Sequence, residues 1–294
     1  KALLDLGMER ARIGVVGLGR GKLAHVSAVD GVTTHTAYAG AIAQLPQATF
    51  ESATDIVGAA RYIKGDEEIA CLRRAADIAT AGLQALAKTA SPGVAEAALY
   101  AQGMRRLMEL GSEYFPLTLQ AEPIGRLRYR HRNPQMGRTL GSDWVIEAEV
   151  NAAWGGQVAQ ETQTIVLGPI PETYRKAADL QREWFGALLG YLTPGTDVAE
   201  LGERINAVRE RHGLRPSLIL QSAGYGDDGP RLRTGDSFDH LGGMCVEPNT
   251  VWVCQIGVQG EDGRLQLSWG TSVLVTDQGP IGLVNRQPEL VSVG

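Results

Sequence analysis

A pair of helices separated by a Pro-Gly break occurs twice in this chain, and this duplication restricts the possible folds more than any other feature. Apolar residues recur at helical spacing in four segments, at residues 66–90, 94–110, 174–192 and 198–212. Ser91-Pro92-Gly93 separates the first two segments and Thr193-Pro194-Gly195 separates the last two. This recurrence predicts one structural unit used twice, about a hundred residues apart.

Strand-like sequence follows each pair of helices. The predicted strands lie at residues 114–120 and 145–150 in the first half and at 217–221 and 251–256 in the second half. Two α-α-β-β units of this kind predict a single pseudo-symmetric α+β domain, in which paired helices back a curved antiparallel sheet. We expect a functional site between the halves, on the sheet face that the helices leave open.

The composition is that of an ordinary globular protein. The 294 residues are 44% hydrophobic and carry a net charge of −5, so bulk electrostatics favour neither nucleic acid nor an anionic membrane as a partner. No apolar run in the sequence approaches the roughly 20 residues that span a bilayer. The three cysteines are too few and too scattered for a disulfide framework or a thiolate zinc site, which favours a reducing, cytoplasmic setting.

The first 60 residues differ from the duplicated region. Residues 12–17 form a short apolar run that predicts a buried strand, and the glycines after it lack the spacing of a Rossmann or P-loop motif. We interpret residues 1–60 as the C-terminal part of an N-terminal α/β domain, whose beginning would precede Lys1. Residues 61–294 are then the duplicated domain.

Several motifs, in this order, resemble those of one enzyme family. Residues 61–69, followed by Leu72-Arg73-Arg74-Ala75, resemble the start of the pita-bread domain of the aminopeptidase P, prolidase, methionine aminopeptidase and creatinase family. Gly155-Gly156 before a strand that ends at Gly168, and the run 273–279, match further landmarks of that family. The resemblance implies the pita-bread fold, preceded by the end of a creatinase-like N-terminal domain.

Peptidases of this family hold two divalent metals with Asp, Asp, His, Glu and Glu side chains, and the bridged pair of cations activates a water. In this chain the corresponding positions are Glu149, Gln160, Ala223, Gln255 and Gly270. Only the first keeps an ionised oxygen ligand, and amides, a methyl group and a hydrogen atom cannot hold two dications. The resemblance therefore predicts that the dimetal site is absent and that no metal cofactor is bound.

Two alignments of the first motif carboxylate stay open. Gly141-Ser142-Asp143 also fits the family's Gly-Asp, and in that alignment Glu147 rather than Glu149 matches the first Asp, although the spacing to Gln160 favours Glu149. Strand alternation puts both glutamates on the same face, so either is placed to look into the cleft. If both were buried and ionised, their repulsion would raise the pKa of one of them.

His131 is the candidate acid or base. Creatinase is the family member that works without metal, with a histidine as acid and base and carboxylates that hold its substrate, and His131 corresponds to the family's active-site histidine. A histidine exchanges protons near neutral pH. Arg132 and its neighbouring arginines would then form a basic rim that collects an anionic substrate. The alternative is a solvated basic loop with an incidental histidine.

Gln160, Gln255 and Tyr225 are candidate substrate contacts. The two glutamines fall on motif positions from different halves of the domain, and Tyr225 lies in the segment that replaces the family's His-Gly-Ile-Gly motif. Either the amides hydrogen-bond a polar ligand, or they fill the former metal site as satisfied groups.

Three functional hypotheses follow. The first is a metal-independent, creatinase-like hydrolase of a C–N bond in a small metabolite, with His131 and Glu149 as catalytic residues and Gln160, Gln255, Tyr225, Glu147 and Arg132 as substrate contacts. The second is a non-catalytic homologue that uses the cleft for binding, and the third is a working Xaa-Pro aminopeptidase or prolidase acting on short peptides. In each case we expect a cytoplasmic homodimer, without nucleic acid or membrane as a partner.

Overall fold

The computed structural model describes residues 1–19, 21–23, 33–126, 134–135, 137–226 and 228–294. In chain order, helices α1–α7 are Ala2–Asp5, His35–Gln44, Thr54–Tyr62, Asp66–Thr89, Glu96–Glu109, Glu172–Tyr191 and Val198–Asn206. Strands β1–β11 are Arg12–Val15, Thr49–Ser52, Thr118–Pro123, Trp144–Trp154, Gln157–Leu167, Leu214–Ser222, Arg231–Arg233, Val251–Gly260, Gln266–Thr276, Gly279–Gly282 and Val291–Val293.

The two Pro-Gly breaks have the same local structure. Gly93 and Gly195 both adopt the left-handed backbone conformation, with φ of 89° and 85°, which a residue with a side chain rarely adopts. Each glycine N–H donates a 2.8 Å hydrogen bond to a carbonyl ahead of the next long strand, that of Leu140 in the first half and that of Val246 in the second. The duplication that the sequence predicts therefore extends to the hydrogen bonds of the loops.

One nine-stranded sheet joins the two halves. Its strands run in the order β3-β4-β5-β9-β8-β6-β7, with β10 added beside β9 and β11 beside β5. The strand β5 of the first half meets β9 of the second, and β4 and β8 flank them, so the halves are related about the β5–β9 boundary. The predicted α+β class and the duplicated helix-and-sheet architecture are confirmed.

The sheet has one face covered by helices and one open face. On β4, Ile146, Ala148 and Val150 are fully buried in a core with α4 and α5. On β8, Trp252, Cys254 and Ile256 are fully buried in a core with α6 and α7. Because side chains alternate along a strand, the residues between these point to the open face.

At two boundaries the prediction extended an element several residues too far. Helix α7 ends at Asn206 rather than at His212, because the Asn206 side chain turns to a neighbouring loop, where its amide donates to the Asp236 carbonyl and its oxygen accepts from the Gly235 N–H. Strand β3 begins at Thr118 rather than at Tyr114, since Pro116 has no N–H for a strand ladder.

The first 60 residues contain their own small sheet, in which β1 and β2 pair in parallel, apart from the large sheet. Helices α2 and α3 accompany these strands. Within the described ranges, no helix combines the length and the apolar character that crossing a bilayer requires.

Candidate functional site

The open face of the sheet brings most of the predicted site residues together. Strand pairing places Glu149 opposite Thr162, Thr162 opposite Gly270, and Gly270 opposite Gln255. Four strands from both halves therefore contribute one continuous row of residues. Gln160 lies one step along from this row, opposite Asn151 on β4.

The two candidate glutamates share this face. Glu147 and Glu149 are both half-buried and alternate with the fully buried residues Ile146, Ala148 and Val150. The predicted common orientation is therefore what the structure has. The row favours Glu149 over Glu147 as the motif carboxylate, since Glu149 lies in line with Gly270 and Gln255.

Hydroxyl groups join the two halves at the floor of the cleft. The Ser272 hydroxyl accepts from the Gln160 N–H and donates to the Gln160 carbonyl, both at 3.0 Å. On the other side of the Thr162–Gly270 pair, the Thr164 hydroxyl accepts from the Ser268 N–H and donates to the Ser268 carbonyl, both at 2.9 Å. We call this boundary between β5 and β9, from Gln160 to Thr164 and from Ser268 to Ser272, the seam.

The amide Gln255 is held by the same seam. Its side-chain N–H group donates to the Ser268 hydroxyl at 3.1 Å. Gln255 and Glu147 both line a small cavity of about 40 Å³, together with Ser217, Gln259, Gln266, Ser268 and three less polar residues. The volume is enough for one water or one terminal group of a ligand, and the lining offers several amide and hydroxyl partners for it.

Tyr225 lies at the rim of the cleft rather than on its floor. Its side chain is 55% exposed, its ring lies under the Arg61 guanidinium at 5.1 Å, and its carbonyl accepts from Arg61 at 2.8 Å. This segment, Ala223 to Gly226, continues from the end of β6 and is hydrogen-bonded to the hairpin of the first half through the Val158 N–H and the Gly224 carbonyl.

A buried lysine supports that rim from below. The Lys64 ammonium donates to the carbonyls of Arg61 and Tyr62 and lies 3.8 Å from a carboxylate oxygen of Asp228. Burial lowers the pKa of Lys64 to about 8, and the nearby Asp228 carboxylate opposes that shift. A side chain at Gly224 would overlap the ends of the Lys64 and Asp228 side chains, so the glycine leaves room for their close approach.

A second buried pair lies directly behind the cleft floor. Glu161 alternates with Gln160 and Thr162, so it points to the helix-covered face, where it is fully buried. The Arg286 guanidinium approaches it to 2.5 Å, and Thr271 donates to it at 3.0 Å. Burial raises the pKa of Glu161 to about 7, although Arg286 and Thr271 act in the opposite direction.

His131 and Arg132 lie outside the described residues. Among the described residues that follow them in the chain, the Arg138 guanidinium lies 3.2 Å from Glu96 and 3.1 Å from Glu122. Both glutamates are almost fully buried, and Glu96 also accepts from the Gln135 N–H at 2.8 Å. The predicted roles of His131 and Arg132 stay predictions.

Several residues of the cleft were not found by sequence reasoning. Asn151, Thr162, Ser268 and Ser272 share the open face with the predicted residues, and the alternation of strands β4, β5 and β9 is the signal that would have found them. Glu161 and Arg286 had no such signal, because they are 125 positions apart in the chain.

The residues at the positions that the family resemblance aligns with metal ligands do not fit a dimetal centre. Glu149, Gln160 and Gln255 supply one carboxylate and two amides, Ala223 and Gly270 supply no side-chain donor, and Gln255 is already hydrogen-bonded within the protein. Within the described part of the chain, no group of three or more His, Cys, Asp or Glu side chains is placed to hold a metal ion.

Comparison with known proteins gives a consistent picture. The family model described as metallopeptidase family M24 matches residues 70–277. The X-Pro aminopeptidase structure from Thermotoga maritima has a TM-score of 0.76 at 16% identity, covering 99% of this chain and 78% of that one.

Two characterised proteins are similar in sequence. Agropine synthesis cyclase of Rhizobium rhizogenes is 25% identical over 232 residues, which are 72% of this chain and 56% of the cyclase. Methionine aminopeptidase of Chlamydia muridarum is 23% identical over 250 residues, which are 75% of this chain and 85% of that enzyme. The chain thus spans little more than half the length of the first of these relatives.

Proposed function

The chain belongs to metallopeptidase family M24, and from that premise we propose that it is a metal-independent hydrolase of a C–N bond in a small metabolite. One observation carries this proposal. The fold keeps the cleft in which its relatives hold their metals, but the row across that cleft presents Glu149, Thr162, Gly270 and Gln255, a set with a single carboxylate.

Hydrolysis without metal needs another group to activate water. In the proposed reaction His131 takes a proton from a water molecule, the water oxygen bonds to the substrate carbon, and the C–N bond breaks. His131 then returns the proton to the leaving nitrogen, so the products are a carbonyl compound and an amine. The correspondence of His131 to the family's active-site histidine supports its assignment to this role.

Glu149 would orient the substrate in this scheme. A half-buried carboxylate at the cleft floor attracts N–H donors and positive charge more strongly than a fully solvated one. Glu147, Gln160 and Gln255 would complete a polar lining, and the small cavity beside Glu147 and Gln255 would take a terminal group. Tyr225 and Arg132 would act at the rim.

A screen and a matched pair of variants test the proposal. Creatine-like, betaine-like and N-acyl amino acid compounds are screened by thermal shift, and stabilising compounds are then assayed for turnover. His131→Ala should abolish turnover while leaving the melting temperature unchanged, whereas His240→Ala, at an exposed histidine in a short 3-10 helix, should leave turnover intact. Turnover that survives His131→Ala removes His131 from the mechanism.

A second candidate is a binding protein without catalysis. The observation that favours it is that the Gln255 side chain is hydrogen-bonded to Ser268 and that the Ser272 and Thr164 hydroxyls bond across the seam, so these polar groups of the cleft floor already have partners within the protein. A compound that raises the melting temperature but is never turned over, with or without His131, supports this candidate against the first.

The third candidate, a working Xaa-Pro aminopeptidase or prolidase, requires metal. Measuring the metal content of the purified protein distinguishes this candidate from the other two, because two equivalents of manganese, zinc or cobalt per chain would support it. The similarity to agropine synthesis cyclase, which is named as a synthesis cyclase and not as a peptidase, supports chemistry other than peptide hydrolysis.

A further inference from the structure

The guanidinium of Arg286 crosses the boundary between the two halves of the domain from beneath. Arg286 lies between β10 and β11, 16 positions from Gly270 on β9 and 125 positions from Glu161 on β5. One terminal nitrogen donates to the Glu161 carboxylate at 2.5 Å and to the Gly270 carbonyl at 3.0 Å. The other donates to the Gln163 side chain at 2.7 Å and to the Thr162 carbonyl at 3.2 Å.

Thr162 and Gly270 are the two residues that are paired between β5 and β9. Arg286 therefore binds the backbone of both strands at the point where the halves join. All four N–H groups on its two terminal nitrogens are used in this way, and the side chain is only 14% exposed. A planar guanidinium with fixed donor directions is suited to hold four acceptors in one arrangement.

Strand pairing joins β5 and β9 at one residue pair, Thr162 with Gly270. Away from Thr162 and Gly270, side chains join the two strands. The Ser272 and Thr164 hydroxyls bond to backbone groups of the opposite strand, and the Glu161 carboxylate accepts from the Thr271 hydroxyl at 3.0 Å and from the Ser272 N–H at 3.2 Å. Gln160 and Gly270, both at former metal positions, lie on this seam. A change in the spacing of β5 and β9 would therefore change the distance between the Glu149 side and the Gln255 side of the cleft.

We propose that Arg286 is a positioning residue for the cleft, which sets the separation of its two halves by binding the carbonyls of Thr162 and Gly270. In this role it touches no substrate and acts through the cleft floor. The proposal rests on the proposed function only in assigning the cleft as the functional site. Glu161 keeps the guanidinium in place, and Gln163 fixes its second edge.

The reporters for a test are the amides of Gln160 and Ser268, because both donate to hydroxyls across the seam. Their hydrogen exchange is measured by NMR in the wild type, in Arg286→Lys and in the double variant Glu161→Leu/Arg286→Met. The double variant removes both buried charges together, so neither is left unpaired and the protein is expected to fold. Arg211→Met, which breaks an exposed ion pair with Glu183, is the matched control.

In the double variant we expect the Gln160 and Ser268 amides to exchange at least tenfold faster, while amides in the Leu218–Ile256 pairing of the second half keep their rates. Arg286→Lys keeps the positive charge but has no fork to bind both carbonyls, so it should show the same local loss. The control should show none.

Unchanged exchange at both seam amides in the double variant overturns the proposal, as does full rescue by lysine, which would mean that only the charge matters. These measurements involve no substrate. Failure of the proposed hydrolase activity would therefore appear in the ligand screen and leave the exchange result intact.

Discussion

Replacement of the buried Lys64 by methionine should change how the stability of the protein depends on pH. The Lys64 side chain has no exposed surface, and burial lowers its pKa from the ordinary 10.5 to about 8. Between these two pH values the unfolded chain binds a proton that the folded chain does not, so wild-type stability rises with pH over that window. Below pH 8 both states are protonated, and the cost of the buried charge is constant.

The magnitude follows from the size of the pKa difference. Each unit of difference between the folded and unfolded states corresponds to about 1.4 kcal/mol. The free energy of unfolding of the wild type should therefore rise by about 3 kcal/mol, relative to Lys64→Met, as the pH goes from 8 to 10.5. Asp228 keeps its 2.6 Å contact with Arg61 in the variant, so its carboxylate is not left without a cation.

Urea denaturation followed by circular dichroism at several pH values measures this difference. Lys88→Met, at an exposed lysine in the last turn of α4, is the control and should show no such trend. A stability difference between wild type and Lys64→Met that stays constant from pH 8 to 10.5 would refute the reasoning. It would mean that Lys64 is solvated or fully compensated in the folded protein.

Three further predictions concern metal content and packing. Purified protein should contain substoichiometric manganese, zinc and cobalt by elemental analysis; two equivalents per chain would contradict the ligand argument. Arg138→Met should lower the free energy of unfolding, measured by urea denaturation, by about 3–5 kcal/mol, because it removes the cation that binds the buried Glu96 and Glu122. A loss near zero would show that Arg138 does not stabilise these two carboxylates. Gly202→Ala should lower the melting temperature, since the new methyl would overlap the Phe238 ring, whereas Gly186→Ala, in open space on α6, should raise it.

The duplicated helices were predictable from sequence because they depend on local periodicity. Helix α4 begins at Asp66, as predicted, and its buried positions are those of an amphipathic pattern. The strands β4 and β8 were also predicted, but each is longer than the apolar run that indicated it. Open-face residues such as Asn151 and Gln259 are polar, so hydropathy alone truncates both strands.

The candidate site was predictable only in part, because only some of its residues are marked by local pattern. Glu147, Glu149, Gln160 and Gln255 were found because motif spacing marks them, and strand alternation gives their face. The seam was not found, because the hydroxyls of Thr164 and Ser272 bond to backbone groups more than a hundred residues away. Their partners are set by how the two halves meet.

The sequence by itself determined the two α-α-β-β halves, which follow from the types and spacing of residues along the chain. It also fixed which side chains stand at the positions that the family resemblance aligns with metal ligands. Only the tertiary structure decided that Glu161 and Arg286 form a buried pair behind that cleft and that Lys64 lies beneath its rim. The physical reason is that burial and ion pairing depend on contacts between distant segments, and these contacts shift the pKa values of Glu161 and Lys64.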